Sequence, residues 1–139
     1  MYADSMYASI GLDAWSGYTC RMTQLPRMRR GTRAYAAAVA YTRALVTERT
    51  EHWGRIYGIE YGRIAIRKQK TRWGSCSALG NLNFNYRLGF LPIELVDYIV
   101  IHELCHICER NHGPNFWALV GKYCPDALAR RKELRKYRF

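Results

Sequence analysis

The stretch Tyr98-Ile99-Val100-Ile101-His102-Glu103-Leu104-Cys105-His106-Ile107-Cys108-Glu109-Arg110-Asn111-His112 decides how this chain is read. Its first half is apolar, and Pro92 upstream suits the first turn of a helix. A long, largely buried helix is therefore predicted from Ile93 to about Arg110. It contains H-E-x-x-H. His102 and His106 fall one turn apart, so both imidazoles project from one face and can grip one metal ion. Glu103 lies beside them and can reach a water at that ion. A catalytic zinc needs a third protein ligand and an open position. His112 is the candidate, because Asn111 and Gly113 permit the chain to leave the helix and turn back. Glu109 is an alternative, but it follows His106 by only three residues on the same predicted helix. Three of the four histidines fall in this stretch, and the fourth, His52, is expected to be an ordinary surface or packing residue. The spacing from the first to the third histidine equals that of the metzincins. That class, however, requires Gly where this chain has Glu109, and a downstream methionine. No methionine follows Met28.

Outward from this helix, the pattern is α+β. A helix is predicted over Thr32–Ile56, with Thr32 as cap and Tyr35, Val39, Leu45, Val46 and Trp53 at near-helical intervals. Arg63–Arg67 alternates as a short strand. Lys68–Gly80 reads as a basic loop in which Trp73 and Gly74 shape a turn. Asn81–Tyr86 alternates most cleanly, with Leu82, Phe84 and Tyr86 on one face and three asparagines on the other. Pro114 can start a helix through Tyr123. Asp126 can cap a last basic helix to near Tyr137. Three to four helices on a small, mostly antiparallel sheet are expected, with H-E-x-x-H on the central helix. Residues 1–28 hold all four methionines and read as a variable N-terminal arm, with the domain in 29–139.

At 139 residues one domain is expected, and the apolar content argues against disorder. No run approaches about 18 apolar residues, so no transmembrane helix is expected. No secretory signal is recognisable, and five cysteines are an odd number, which favours free thiols in the cytoplasm. Cys105 and Cys108 are expected to be small core residues rather than a redox pair. Cys20 is a remote candidate for blocking a metal from the arm.

Charge is the unusual quantity. Lys and Arg number 22 against 11 acids, a formal net charge of +11, and Arg is strongly preferred over Lys. The excess is segmental: residues 61–91 carry six basic and no acidic groups, and residues 128–139 carry six and one. Residues 92–127, around the histidines, carry two basic and five acidic groups. Basic elements thus flank an acidic metal-site segment, and weak binding of nucleic acid or other polyanions is expected.

Arg72-Trp73-Gly74-Ser75-Cys76, Asn81–Arg87, His102–His106, Asn111–Trp117 and Cys124-Pro125-Asp126 with Arg130-Arg131, taken in order, resemble the YgjP-like metallopeptidase family, related to the SprT and WLM zinc proteases. The resemblance covers about 29–139 and not residues 1–28. It implies a compact minimal zincin-like fold, one Zn2+ on His102, His106 and His112, for which Ni2+ or Co2+ can substitute, and Glu103 as general base.

The reading that follows is a zinc-dependent metallohydrolase, foremost a cytoplasmic, monomeric metallopeptidase acting on peptides or proteins. Arg72, Ser75 and Tyr98 are candidate oxyanion donors. Asn83 and Asn85, on the polar strand face, are candidates for pairing with an extended peptide as an edge strand does. Two alternatives use the same site: a zinc-dependent nucleoside triphosphate pyrophosphatase, and a DNA-associated SprT-like protease. The first lacks a phosphate-cradling glycine loop and a carboxylate cluster suited to Mg2+. The second lacks a recognisable DNA-binding module.

Overall fold

A computed structural model describes residues 25–139. Thr32 starts the first helix, α1 (Arg33–Tyr57), by accepting the Tyr35 N–H, and Gly58 ends it in the left-handed region at φ 65°. Its buried stripe is Ala38, Thr42, Val46, Thr50 and Gly54, one residue per turn and all small. The larger side chains expected at Tyr35 and Val39 are only half-buried. Small residues win the inner face because they let the helix backbone approach its neighbours closely. The buried Thr42 hydroxyl donates to the Tyr86 carbonyl at 2.6 Å.

Three strands follow: β1 (Ile64–Arg67), β2 (Gly74–Cys76) and β3 (Leu82–Asn85). Their order is β1-β3-β2, with β1 parallel and β2 antiparallel to β3. The sheet is thus mixed rather than mostly antiparallel, and β2 lies inside what reads as a loop. Gly-Ser-Cys has neither strand propensity nor a legible period, so pairing with β3 alone makes it a strand. Leu82 and Phe84 are fully buried, as the alternation predicts. Tyr86 is buried too, but in a 3-10 turn (Tyr86–Phe90) that ends the strand.

Next come α2 (Ile93–Cys108), α3 (Pro114–Tyr123) and α4 (Ala127–Leu134). Asp126 does not cap α4 through its side chain; its carboxylate pairs instead with Arg130 at 2.8 Å. Helix α2 is central, packing against α1, β2, α3 and α4. Asp97 on α2 takes a two-pronged contact from Arg49 on α1 at 2.6 and 2.9 Å. The segment before α1 is tied to the far end of the chain. Leu25 is 5% exposed, its N–H reaches the Arg138 carbonyl at 3.4 Å, and Arg27 reaches the Phe139 carbonyl at 3.0 Å. Cys20 and the remainder of the arm up to residue 24 lie outside the described residues.

No helix among the described residues is long and apolar enough to cross a membrane.

Candidate metal centre and its cleft

His102 and His106 stand one turn apart on α2, as the motif requires. The helix stops at Cys108, and Glu109 N–H bonds back to the Cys105 carbonyl. Arg110 donates to the Ala78 carbonyl in the turn between β2 and β3. That contact folds the exit segment over the sheet, and His112 returns to the other two histidines. Its Nε2 lies 3.1 Å from His106 Nε2 and 3.2 Å from His102 Nε2. Nitrogens held tetrahedrally at 2.0–2.1 Å from one ion would lie roughly 3.3 Å apart. The spacing therefore fits one small cation. Among the described residues this is the only convergent group of three or more His, Cys, Asp or Glu donors. The Glu109 side chain is outside it.

The protonation states agree with the spacing. A carbonyl can only accept, so the contact between His106 Nδ1 and the Glu109 carbonyl at 3.1 Å places the proton on Nδ1 and frees Nε2 as a ligand. Burial, and then the neighbouring His106, His112 and Arg131, push His102 down to about 3. Burial also lowers His106, against the help of its backbone partner. Neutral imidazoles are the form that binds metal. His102 Nδ1 is buried without a hydrogen-bond partner among the described residues.

An aromatic wall encloses the group. Phe116 on α3 stacks on His106 at 4.3 Å and meets His102 edge-on at 4.9 Å. Trp117 lies 5.8 Å from His112 and 6.0 Å from His102. Pro114 sets where α3 starts and so which side chains face back. Nothing in periodicity marks these two rings as part of the site; their place follows from the tight Cys108–Pro114 connection.

Glu103 is 5% exposed. Its carboxyl is pushed up to about 8 by burial, with Arg72 pulling the other way. A bound dication would itself lower that value. The carboxyl lies against β2: a Cβ built on Gly74 would stand 2.9 Å from Glu103 Oε1 and 3.1 Å from the Asn83 carbonyl. Gly74 thus makes room for Glu103 and does not shape a turn. Trp73 packs on Phe139 at 4.5 Å.

The triad and Glu103 open into a cleft of about 720 Å³. One wall is Arg72–Ser77, the floor is the α2 face from Tyr98 to His106, and α4 with Tyr137 forms the opposite wall. Arg72, Ser75 and Tyr98 all line it, whereas Asn83 and Asn85 do not. The edge-strand expectation for the asparagines is corrected by the sheet order. Strand β3 is central, and its asparagines are engaged. Asn83 accepts from Arg67 at 3.2 Å. Asn85 is fully buried and donates to the Gln69 and Arg72 carbonyls at 2.9 and 3.0 Å. The two edge strands are β1 and β2, and among the described residues β2 pairs with no strand but β3. Trp73 and Ser77 spend backbone groups on Asn85 and Asn81, and Ser75 lies opposite Asn83. By antiparallel alternation the N–H and C=O of Gly74 and Cys76 point away from β3, toward the free edge.

These features agree with the comparisons. No curated protein sequence matches the chain. Among solved structures it is similar to the metallopeptidase zymogen of Pyrococcus abyssi abylysin, with 26% identity and a TM-score of 0.58 over 68% of this chain and 99% of that one. It also shares the fold of the metallopeptidase zymogen of Methanocaldococcus jannaschii jannalysin, with 23% identity and a TM-score of 0.54 over 63% and 94% of the two chains. The model of the YgjP-like metallopeptidase domain matches residues 21–137, which spans every element that builds the cleft, and the chain therefore belongs to that family.

Proposed function

We propose that this protein hydrolyses peptide bonds using one zinc ion held by His102, His106 and His112, with Glu103 as general base. The observation that carries the reading is the convergence of three imidazole nitrogens beside a buried carboxyl in an open cleft. Zinc, when bound, polarises a carbonyl and brings the pKa of a coordinated water to about 7. The rest of the chemistry falls to the chain. Glu103 takes the proton of the attacking water and delivers it to the departing amine. Gly74 keeps its carboxyl close to the sheet. The free edge of β2 pairs with an extended substrate. Tyr98, Arg72 and Ser75 are the cleft donors available to a developing oxyanion. Burial, the largest influence, raises the Tyr98 hydroxyl, so it keeps its proton to donate.

The family makes a peptide or protein the expected substrate. Cys76, Cys105, Cys108 and Cys124 are all unpaired, which supports a reducing, cytoplasmic setting. The family model begins at residue 21 and Leu25 is buried in the core, so we place the start of the catalytic domain at or before Leu25 rather than at residue 29, with the residues ahead of it as an arm.

The test is metal analysis with a panel of casein, short peptides and nucleotides, on wild type and Glu103→Gln. Wild type should carry one zinc and cleave peptides but not nucleotides. Glu103→Gln should keep its zinc and lose activity by about 10²–10⁴-fold. Full activity in Glu103→Gln would overturn the mechanism.

A further inference from the structure

Helix α4 sorts its charges into two sets. Asp126 pairs with Arg130, and Glu133 with Lys136, each at 2.8 Å. Both acids of this region are thereby used on one side. Arg131 and Arg135, one turn apart, line the cleft, and neither has an acidic partner within ion-pair distance among the described residues. Like charges four residues apart repel, so the pair is better off with an anion between or above it.

Arg131 is also held in place. The Arg131 guanidinium sits 4.8 Å over the Trp117 ring, and Trp117 itself is 6.0 Å from His102. Stacking on an aromatic face leaves the guanidinium edge free, and that edge is the part that grips a carboxylate with two parallel N–H bonds. Leu134 and Tyr137 lie beside it on the same wall. Among the described residues Glu103 is the only acidic one lining the cleft, and its role is taken. Because α4 faces the β2 edge across the floor, a peptide paired with β2 would turn alternate side chains toward the arginines. One aromatic ring separates Arg131 from the triad, and an extended chain advances about 3.3 Å per residue.

We propose that Arg131 and Arg135 form a carboxylate subsite that selects peptides bearing an acidic side chain, or a free C-terminus, within about three residues of the bond cut. The proposal rests on the peptidase reading but is tested by binding. A triphosphate fits the wall less well, because Leu134 and Tyr137 occupy it.

The probes are fluorescent peptides of one sequence in three forms: internal Glu with an amidated end, internal Gln with an amidated end, and internal Gln with a free end. Binding is measured on zinc-loaded Glu103→Gln protein, with and without Arg131→Gln/Arg135→Gln. At least one carboxylate form should bind tenfold or more tighter than the neutral form, and the tighter form identifies the source. The double substitution should reduce the preference to below twofold while zinc content and circular dichroism stay unchanged. Equal binding of all three forms, or a preference that survives the double substitution, overturns the subsite. So does displacement of the acidic peptide by a nucleoside triphosphate at hundredfold lower concentration than by unlabelled peptide. Cleavage by wild type is scored separately. If wild type cleaves none of the set while the preference holds, the peptidase reading fails and the subsite stands. If acid and neutral peptides are bound and cleaved alike, the reverse follows.

Discussion

A single methyl group at residue 74 would press on Glu103 Oε1 and on the Asn83 carbonyl. The carboxyl can swing away more easily than the strand can move, so Gly74→Ala should displace the Glu103 carboxyl before it disturbs the fold. Misplacing a catalytic group by about 1 Å can cost roughly hundredfold in rate. We therefore expect Gly74→Ala to keep its metal and lose kcat by about that factor, measured by peptide hydrolysis alongside metal analysis. His112 gives the complementary case. It is exposed, on a connection rather than in the core, so His112→Ala should leave the circular dichroism spectrum unchanged. Its metal affinity should fall by more than about a hundredfold, since changes behind the ligands alone cost 10–100-fold. A full complement of tightly held zinc in His112→Ala would remove it from the ligand set. At this scale the grouping of the three histidines was legible. His102, Glu103 and His106 follow from a helical spacing, and His112 from turn residues. Gly74 was not, because its need for smallness comes from a residue 29 positions away, a relation that no local pattern records.

Three helices were readable from their start signals: Thr32 for α1, which Gly58 ends, Pro92 for α2 and Pro114 for α3. The sheet was readable only where alternation ran long enough, in β3. Strand β2 has three residues and no hydrophobic period, and only its partner makes it a strand. The misassigned edge followed from that omission: without β2, β3 would be an edge and its asparagines would face substrate. In the structure Asn85 instead pins the Gln69–Arg72 backbone that carries Arg72 to the cleft. Asn85→Ala removes both donations and the acceptor for the Arg87 N–H. Each buried group left unpaired costs about 1–3 kcal/mol. The variant should unfold at lower urea and show faster amide exchange in residues 69–73 than elsewhere. Uniform exchange across the chain would argue against a local role.

The molecule as a whole should lose stability in alkali. Burial, and then the Asp126 hydrogen bond, raise the Cys124 thiol from 9.0 to about 11. Burial, and then Cys124, raise the Tyr57 hydroxyl from 10.0 to about 12. The folded chain therefore holds these protons more tightly than the unfolded one. Their contribution is complete below about pH 9 and is lost as pH rises through 11 and 12. The urea midpoint should fall between pH 8 and pH 11, and a rising midpoint would contradict this assignment. The join between Leu25 and Arg138 makes a second prediction. Removing residues 1–24 leaves the described contacts of that join in place. Removing residues 1–28 takes away a buried Leu and its neighbouring hydrogen bonds, and should cost at least about 2 kcal/mol in unfolding free energy. The same join has a mechanical side. Arg27 holds the carbonyl of Phe139, whose ring lies on Trp73 at the start of the β2 edge, and Leu25 holds Arg138 next to Tyr137 on the opposite wall. A displacement of Leu25 and Arg27 would thus reach both sides of the cleft at once, through Arg138 on one and Phe139 on the other.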